Sequence, residues 1–333
     1  MKALVLAPFA EEALEALKGL LPVTYESWTE TRLLHDAGEL AERVAREDVG
    51  VLVIEADFAF EELFKSAPSL RFVGVCRQEL NQVDVEAATR YGIVVVNTPA
   101  RNAQAVAEHT VGLMLALARH ILQAHSYVKS QLWKDPVEPY IHMRGTELRG
   151  RTLGIIGLGA IGRLVARLGR GLGMRVLAHD PYVGEAGRRL HGALLVSLEE
   201  LLRESHFVTL HVPQSGETDG LLDSERLGLM RPDAFLVNTS SYAAVNERAL
   251  ADALRHGRLA GAAFDVHQSH PIPPTSPLLK LDNVVLTPHI GGATEETVSR
   301  YSWMVVEAVR SFLKGRRPRH LVNPDVWRRH RGR

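Results

Sequence analysis

Short runs rich in Val, Ile and Leu recur along this chain with longer amphipathic stretches between them, and the alternation occurs twice. Continuous apolar runs suit strands covered on both faces, and helical stretches between such strands are the crossovers of a parallel sheet. In the first series residues 3–6, 51–54, 72–75 and 93–96 are expected strands, with helices near 11–18, 39–46, 61–66 and 85–90. The second series places strands at 153–156, 175–178, 207–210, 235–237, 261–264 and 284–286. Between the two, residues 103–123 carry apolar side chains around much of a helix, as expected of a helix buried at a domain junction. A further helical pattern occupies 295–313. The fold class is therefore α/β, with two doubly wound, Rossmann-like domains on parallel sheets. At 333 residues the chain is too long for one comfortable core. A chain that leaves one domain, builds a second and keeps a long helix can return to the first. The expected division is 1–101 with 293–333 as a discontinuous, flavodoxin-like domain, and 102–292 as the domain inserted in it. Residues at the crossings, near 97–103 and 287–293, would then face the cleft between the domains.

The sharpest local motif is Gly157-Leu158-Gly159-Ala160-Ile161-Gly162, directly after the expected strand 153–156 and opening a helix near Ile161. Each glycine has a physical task in such a place: Gly157 makes the tight turn, Gly159 lets the backbone approach a pyrophosphate, and Gly162 allows close helix–strand packing. The helix N-terminus then offers unpaired N–H groups to phosphate. The next strand leads into Asp180, at about the twenty-residue distance at which a carboxylate accepts hydrogen bonds from the adenosine ribose. Its charge repels a 2′-phosphate, and the following Pro181-Tyr182-Val183-Gly184 supplies no arginine to bind one. NAD is the expected cofactor, in the domain 102–292.

Composition narrows the setting. Lys plus Arg and Asp plus Glu are both 39, so no net field draws the chain to nucleic acid or to a membrane surface. The C-terminus is locally basic, with Arg316, Arg317, Arg319, Arg328, Arg329, Arg331 and Arg333, which is read as a solvated tail because no aromatic binding module accompanies it. Cys76 is the only cysteine, so no intrachain disulfide forms and a reducing, cytoplasmic setting is expected. The N-terminal apolar stretch ends at Pro8 and two glutamates, which suits a strand and helix better than a signal peptide, and no window is long enough to cross a bilayer.

Beyond the glycine motif, Asn81-Gln82-Val83-Asp84, Gly92-Ile93-Val94-Val95-Val96-Asn97-Thr98-Pro99, Asn102 with Ala105-Val106-Ala107-Glu108, His211-Val212-Pro213, Val237-Asn238-Thr239, Ala263-Phe264-Asp265-Val266 and Thr287-Pro288-His289-Ile290-Gly291-Gly292 follow one another along most of the chain. In order and spacing these runs resemble the D-isomer-specific 2-hydroxyacid dehydrogenases. The details are closest to phosphoglycerate dehydrogenase-like members, without their further regulatory domain. The resemblance implies an NAD-dependent oxidoreductase acting on a small hydroxy or oxo acid, and a homodimer formed largely through the nucleotide domain. It matches His289 to the histidine that exchanges the hydroxyl proton with substrate, a task suited to an imidazole. It matches Ala160, Ile161, His211, Pro213, Thr239, Ser240, Asp265, His289, Gly291 and Gly292 to cofactor contacts, beside Gly157, Gly159, Gly162 and Asp180. The loop Cys76, Arg77, Gln78 with Asn102 corresponds to the region near the substrate carboxylate.

Two catalytic positions depart from the family pattern. Where the resemblance implies a glutamate before a proline that supports the histidine, the residue before Pro271 is His270. A neutral histidine can orient its neighbour by a hydrogen bond, whereas a protonated one opposes a second positive charge, so His289 is expected to be less basic than in the family. Where an arginine three residues after Asn238 would bind the substrate carboxylate, the chain has Ser241, with Tyr242 in place of a small residue. Serine donates one neutral hydrogen bond where arginine offers a charged fork, a loss of roughly 1.5–3 kcal/mol. Arg77, in the loop after a first-domain strand, is a candidate replacement cation. His267, His270 and His289 raise the question of a zinc site, but the pair His267/His270 lies in a Pro-rich loop with no completing carboxylate, and no metal is expected. The competing reading is an NAD(H)-binding sensor or scaffold that keeps the fold without efficient catalysis.

Overall fold

The computed structural model describes residues 1–330. Of the basic C-terminal segment, Arg331 and Arg333 lie outside the described residues. The chain forms two compact units, one of Met1–Arg101 with the segment from Ala293 onward, the other of Asn102–Gly292.

In the first unit the strands are β1 (Lys2–Val5), β2 (Val23–Tyr25), β3 (Val49–Ile54), β4 (Phe72–Val75) and β5 (Val94–Val96), all parallel in the order β2-β1-β3-β4-β5. This is the flavodoxin-like order. Every residue of β3 is buried, as its unbroken apolar run requires of a central strand. Core layers lie on both faces of the sheet, one holding Val5, Val53 and Phe72, the other Leu4, Leu52 and Val73. The helix Glu295–Leu313 belongs to this unit: Tyr301, Val305 and Val309 are buried in the first layer, and the Tyr301 hydroxyl donates to the Pro8 carbonyl at 2.8 Å. Asn323 fastens the returning chain to the sheet edge, accepting the Val95 N–H at 3.0 Å and donating to the Ile93 carbonyl at 2.8 Å.

The second unit contains β6 (Thr152–Ile156), β7 (Arg175–His179), β8 (Arg189–Leu190), β9 (Ala193–Leu195), β10 (Phe207–Leu210), β11 (Phe235–Asn238), β12 (Gly261–Phe264) and β13 (Val284–Leu286). Their order is β13-β12-β11-β10-β6-β7-β9-β8. The sheet is parallel, as expected, with one antiparallel pair at its edge, β8 and β9, joined across His191-Gly192, both at positive φ. Two residues with positive φ are what a tight hairpin turn requires. The chain switches direction across the sheet between β6 and β10, the point at which open α/β sheets bind ligands.

The helix expected over 103–123 is two helices, Ala103–Ala118 and Ile121–Lys129, with a 63° bend between them. His120 adopts a left-handed conformation, and the Ala118 carbonyl accepts the Thr146 N–H at 2.8 Å instead of continuing the helical ladder. No single helix among the described residues is long and apolar enough to cross a membrane. The bent pair together has that length and apolar composition, and Ala107, Leu113, Met114 and Leu117 of its first helix lie in the core.

Candidate active site

β6 delivers the glycine motif to the switch point. Gly157 has φ 92°, and a Cβ there would lie 2.4 Å from the His211 carbonyl oxygen, so the turn admits only glycine. A Cβ on Gly162 would lie 2.1 Å from the Gly157 carbonyl oxygen, whereas one on Gly159 would meet nothing within 4 Å. Gly159 thus exposes backbone to open space at the start of the helix Ala160–Gly171, whose N-terminus has no side-chain cap. Uncapped N–H groups and an open approach fit a pyrophosphate. Asp180 follows β7 and anchors the turn: its carboxylate accepts the Leu158 N–H at 2.8 Å and the Tyr182 N–H at 2.9 Å. Carboxylate oxygens have several lone pairs, so ribose hydroxyls can still be accepted. His211, just after β10, is buried with neither ring nitrogen partnered among the described residues, and burial pushes its pKa down to about 3. The ring is neutral, with two polar atoms unsatisfied beneath the glycine turn. Pro213 beyond it is exposed, and its carbonyl accepts the Thr218 hydroxyl at 2.6 Å. Together these residues can hold a dinucleotide.

At the ends of β12 and β13 a second construction surrounds His289. This residue has φ 58°, a left-handed conformation costly for a side chain without special support. Asp265 supplies support by accepting the Ile290 N–H at 2.9 Å on one oxygen and the Gly291 N–H at 2.7 Å on the other. The Thr287 hydroxyl donates to the same carboxylate at 2.6 Å and is itself 3.2 Å from His109 Nε2. Burial alone would push the Asp265 carboxyl up, but hydrogen bonds from His109, Thr287, Ile290 and Gly291 outweigh it and bring the pKa to about 2. Asp265 is therefore a buried anion that fixes the backbone just after His289 and holds the Thr287 hydroxyl before it. Gly291 and Gly292 make room for this arrangement, since a Cβ on the first would lie 2.8 Å from an Asp265 oxygen and one on the second 2.9 Å from the Asn102 amide.

The His289 ring meets His270: Nδ1 of the first and Nε2 of the second are 2.8 Å apart. His267 takes another direction, donating from Nε2 to the Thr287 carbonyl at 2.8 Å. Among the described residues no group of three or more His, Cys, Asp or Glu side chains could hold a metal ion.

After β11, Asn238 shapes the segment that follows. Its amide donates to the Ser241 carbonyl at 2.7 Å, and its oxygen accepts the Ser240 N–H at 3.1 Å. Thr239 pairs with Thr110 through their hydroxyls at 3.0 Å. Ser241 is only 4% exposed and its hydroxyl has no partner among the described residues. Tyr242, unusual by the family pattern, donates to Glu247 at 3.0 Å. Burial first and this carboxylate second push its pKa up to about 12.

In the first unit Cys76 is a core residue. It is fully buried, its N–H bonds the Ile54 carbonyl at 2.8 Å, and burial pushes the thiol well up. Arg77 and Gln78 are exposed on a backbone pinned to the next loop: the Arg77 carbonyl accepts the Thr98 N–H at 3.0 Å, the Gln78 carbonyl accepts the Asn97 amide at 2.8 Å, and the Gln78 side chain accepts the Ala100 N–H at 3.2 Å. Sequence reasoning missed His109 and Thr287 as supports of Asp265. Both lie within or beside motifs that were legible, so their position was visible although their partner was not.

Residues 111–291 match the family model described as "D-isomer specific 2-hydroxyacid dehydrogenase, NAD binding domain". A glyoxylate reductase from Korarchaeum cryptofilum is 44% identical over 265 residues, covering 80% of this chain and 80% of that protein. A D-3-phosphoglycerate dehydrogenase from Archaeoglobus fulgidus is 36% identical over 325 residues, which are 97% of this chain but 59% of the relative's length. Among solved structures, the TT0316 protein from Thermus thermophilus superposes with a TM-score of 0.84 at 36% identity, covering 97% of this chain and 100% of that one. Two of these relatives bear the names of enzymes, which disfavours the alternative of a catalytically silent nucleotide sensor. The chain thus belongs to the D-isomer-specific 2-hydroxyacid dehydrogenase family, as an NAD-dependent oxidoreductase acting on CH–OH groups.

Proposed function

We propose that the protein interconverts a small 2-oxo acid and its 2-hydroxy acid, with His289 as the acid/base. The observation that carries this reading is the His289 turn: a left-handed residue locked by the buried Asp265 anion, with its ring Nδ1 on a second imidazole. Bound NAD supplies the hydride acceptor for the alcohol or, reduced, the hydride donor for the ketone. His289 Nε2 takes the hydroxyl proton or returns it. Gly157, Gly159, Ala160, Ile161 and Gly162 receive the pyrophosphate, and Asp180 the adenosine ribose. Thr239, Ser240, His211 and Pro213 would contact the rest of the cofactor, while Asp265, Gly291 and Gly292 set the His289 backbone. In this reading the unit Asn102–Gly292 is the NAD-binding domain and the unit with the sheet of β1 to β5 carries substrate.

Ser241 offers a neutral hydroxyl where the resemblance implies an arginine, and Arg77, with Gln78 next to it in the first unit, is the candidate cation for a substrate carboxylate. Its exposed guanidinium on a pinned backbone supports that role. Turnover of a panel of 2-oxo acids of increasing size, followed by NADH absorbance, tests the reading. The smallest members should be reduced, and Arg77→Ala should raise KM about tenfold or more, the loss of a charge-assisted bond. Absence of turnover across the panel would overturn it.

The assembly proposed is a homodimer, in the cytosol. The segment from Ile121 to Ile141 exposes Ile121, Val128, Leu132, Trp133, Tyr140 and Ile141, an apolar surface that a second copy of the chain would cover. A single cysteine, Cys76, fits a reducing compartment.

A further inference from the structure

His289 meets an imidazole where a carboxylate was expected, and two imidazoles can do something with a proton that an imidazole and a fixed anion cannot. The bond between His289 Nδ1 and His270 Nε2 is 2.8 Å long, with ring centroids 4.9 Å apart and ring planes inclined at 34°. His270 is exposed to solvent. Each ring therefore has its second nitrogen on the far side of the shared bond: Nε2 on His289, Nδ1 on His270. An imidazole that gains a proton at one nitrogen and loses one at the other ends neutral, as the opposite tautomer. His267 does not extend the chain, because its ring centroid is 6.5 Å from that of His270 and its Nε2 is committed to the Thr287 carbonyl.

We propose that His270 is a proton-relay residue, carrying the reaction's proton between His289 and solvent. The proposal rests on the assignment of His289 as acid/base. In the oxidising direction the substrate O–H bond breaks and its proton goes to His289 Nε2; bound NAD would be the acceptor of the C–H electron pair. The Nδ1 proton of His289 then moves to His270 Nε2, and the Nδ1 proton of His270 goes to water. One proton enters the pair and one leaves, so neither ring keeps a charge. After product departs, exchange with water at the two outer nitrogens restores the starting tautomers. Reduction runs the same transfers in reverse.

Two substitutions separate relay from mere orientation. His270→Gln keeps a side-chain oxygen able to accept from His289 Nδ1–H, yet an amide cannot pass the proton on. Its kcat should fall about tenfold, within the span of acid–base effects. KM and Tm should be unchanged, the solvent deuterium isotope effect on kcat should rise, and added imidazole should restore most of the lost rate. Independently of turnover, nitrogen-15 NMR of the histidines should show coupled Nδ1 and Nε2 signals of the pair in the wild type, and His270→Gln should move the His289 signals. Wild-type kcat in His270→Gln, or a loss that imidazole does not rescue, would overturn the relay. If His289→Ala also turned over normally, the acid/base assignment would fail first. If His289→Ala were inactive and His270→Gln unrescued, only the relay would fail.

Discussion

The hydroxyl of Ser241 is buried without a hydrogen-bond partner among the described residues, a state that costs about 1–3 kcal/mol in a folded protein. Such a cost makes sense where a ligand completes the bond. Ser241→Ala should therefore leave Tm unchanged or slightly raised in the free protein, while KM for the 2-oxo acid rises several-fold; a lowered Tm with unchanged KM would assign the hydroxyl to structure alone. The sequence showed that an arginine was missing here, but not that its replacement is buried, because burial depends on how Asn238 and the Tyr242–Glu247 bond fold the segment down. It also showed His289 and His270 as partners in a family pattern, and the hydrogen bond between them matches the orienting role a neutral histidine can take. His211 gives a second prediction at this scale. Its ordinary pKa is 6.5 and its folded value about 3, so the unfolded chain takes the proton first as pH falls. Its neutral burial is compatible with full stability above pH 6.5, and stability is then lost down to about pH 3, at about 1.4 kcal/mol per pH unit. Denaturant titrations at pH 7 and pH 4 should show that His211→Leu narrows the stability difference between the two by about 3 kcal/mol; an unchanged difference would contradict a buried, neutral ring.

Among the elements, the turn after β6 separates two uses of glycine. Gly157→Ala places a side chain at φ 92° against the His211 carbonyl, so it should lower Tm by several degrees and weaken NADH binding together. Gly159→Ala has open space for its methyl group, so it should fold with an unchanged Tm and lose NADH affinity about tenfold. Calorimetry with fluorescence titration distinguishes the two, and equal loss of stability in both variants would show that the motif only packs the helix. The main strands were legible because they are continuous apolar runs, and several expected bounds, such as Phe207–Leu210 and Gly261–Phe264, coincide with those of the structure. β2 and β8 were not, since β8 has only two residues and β2 is only partly buried. The break at His120 was equally hidden: apolar residues continue on both sides, and the stop comes from Thr146, distant in sequence, capturing the Ala118 carbonyl.

At the scale of the molecule, the doubling of the strand rhythm made two α/β units legible, while the surface between Ile121 and Ile141 emerged only once each residue's exposure was known. If that surface is covered by a second copy, light scattering of the purified protein should give twice the chain mass, and Trp133→Asp with Tyr140→Asp should give a monomer of unchanged fold. A wild-type monomer at micromolar concentration would contradict the homodimer. The central claim is that one histidine, held by Asp265 in a strained turn, moves the proton while NAD takes or gives the hydride. Its most direct test is His289→Ala, measured for NADH binding by fluorescence and for NADH oxidation with the best 2-oxo acid of the panel. The account predicts wild-type NADH affinity with turnover reduced by about 10²–10⁴; turnover retained at the wild-type rate would contradict it.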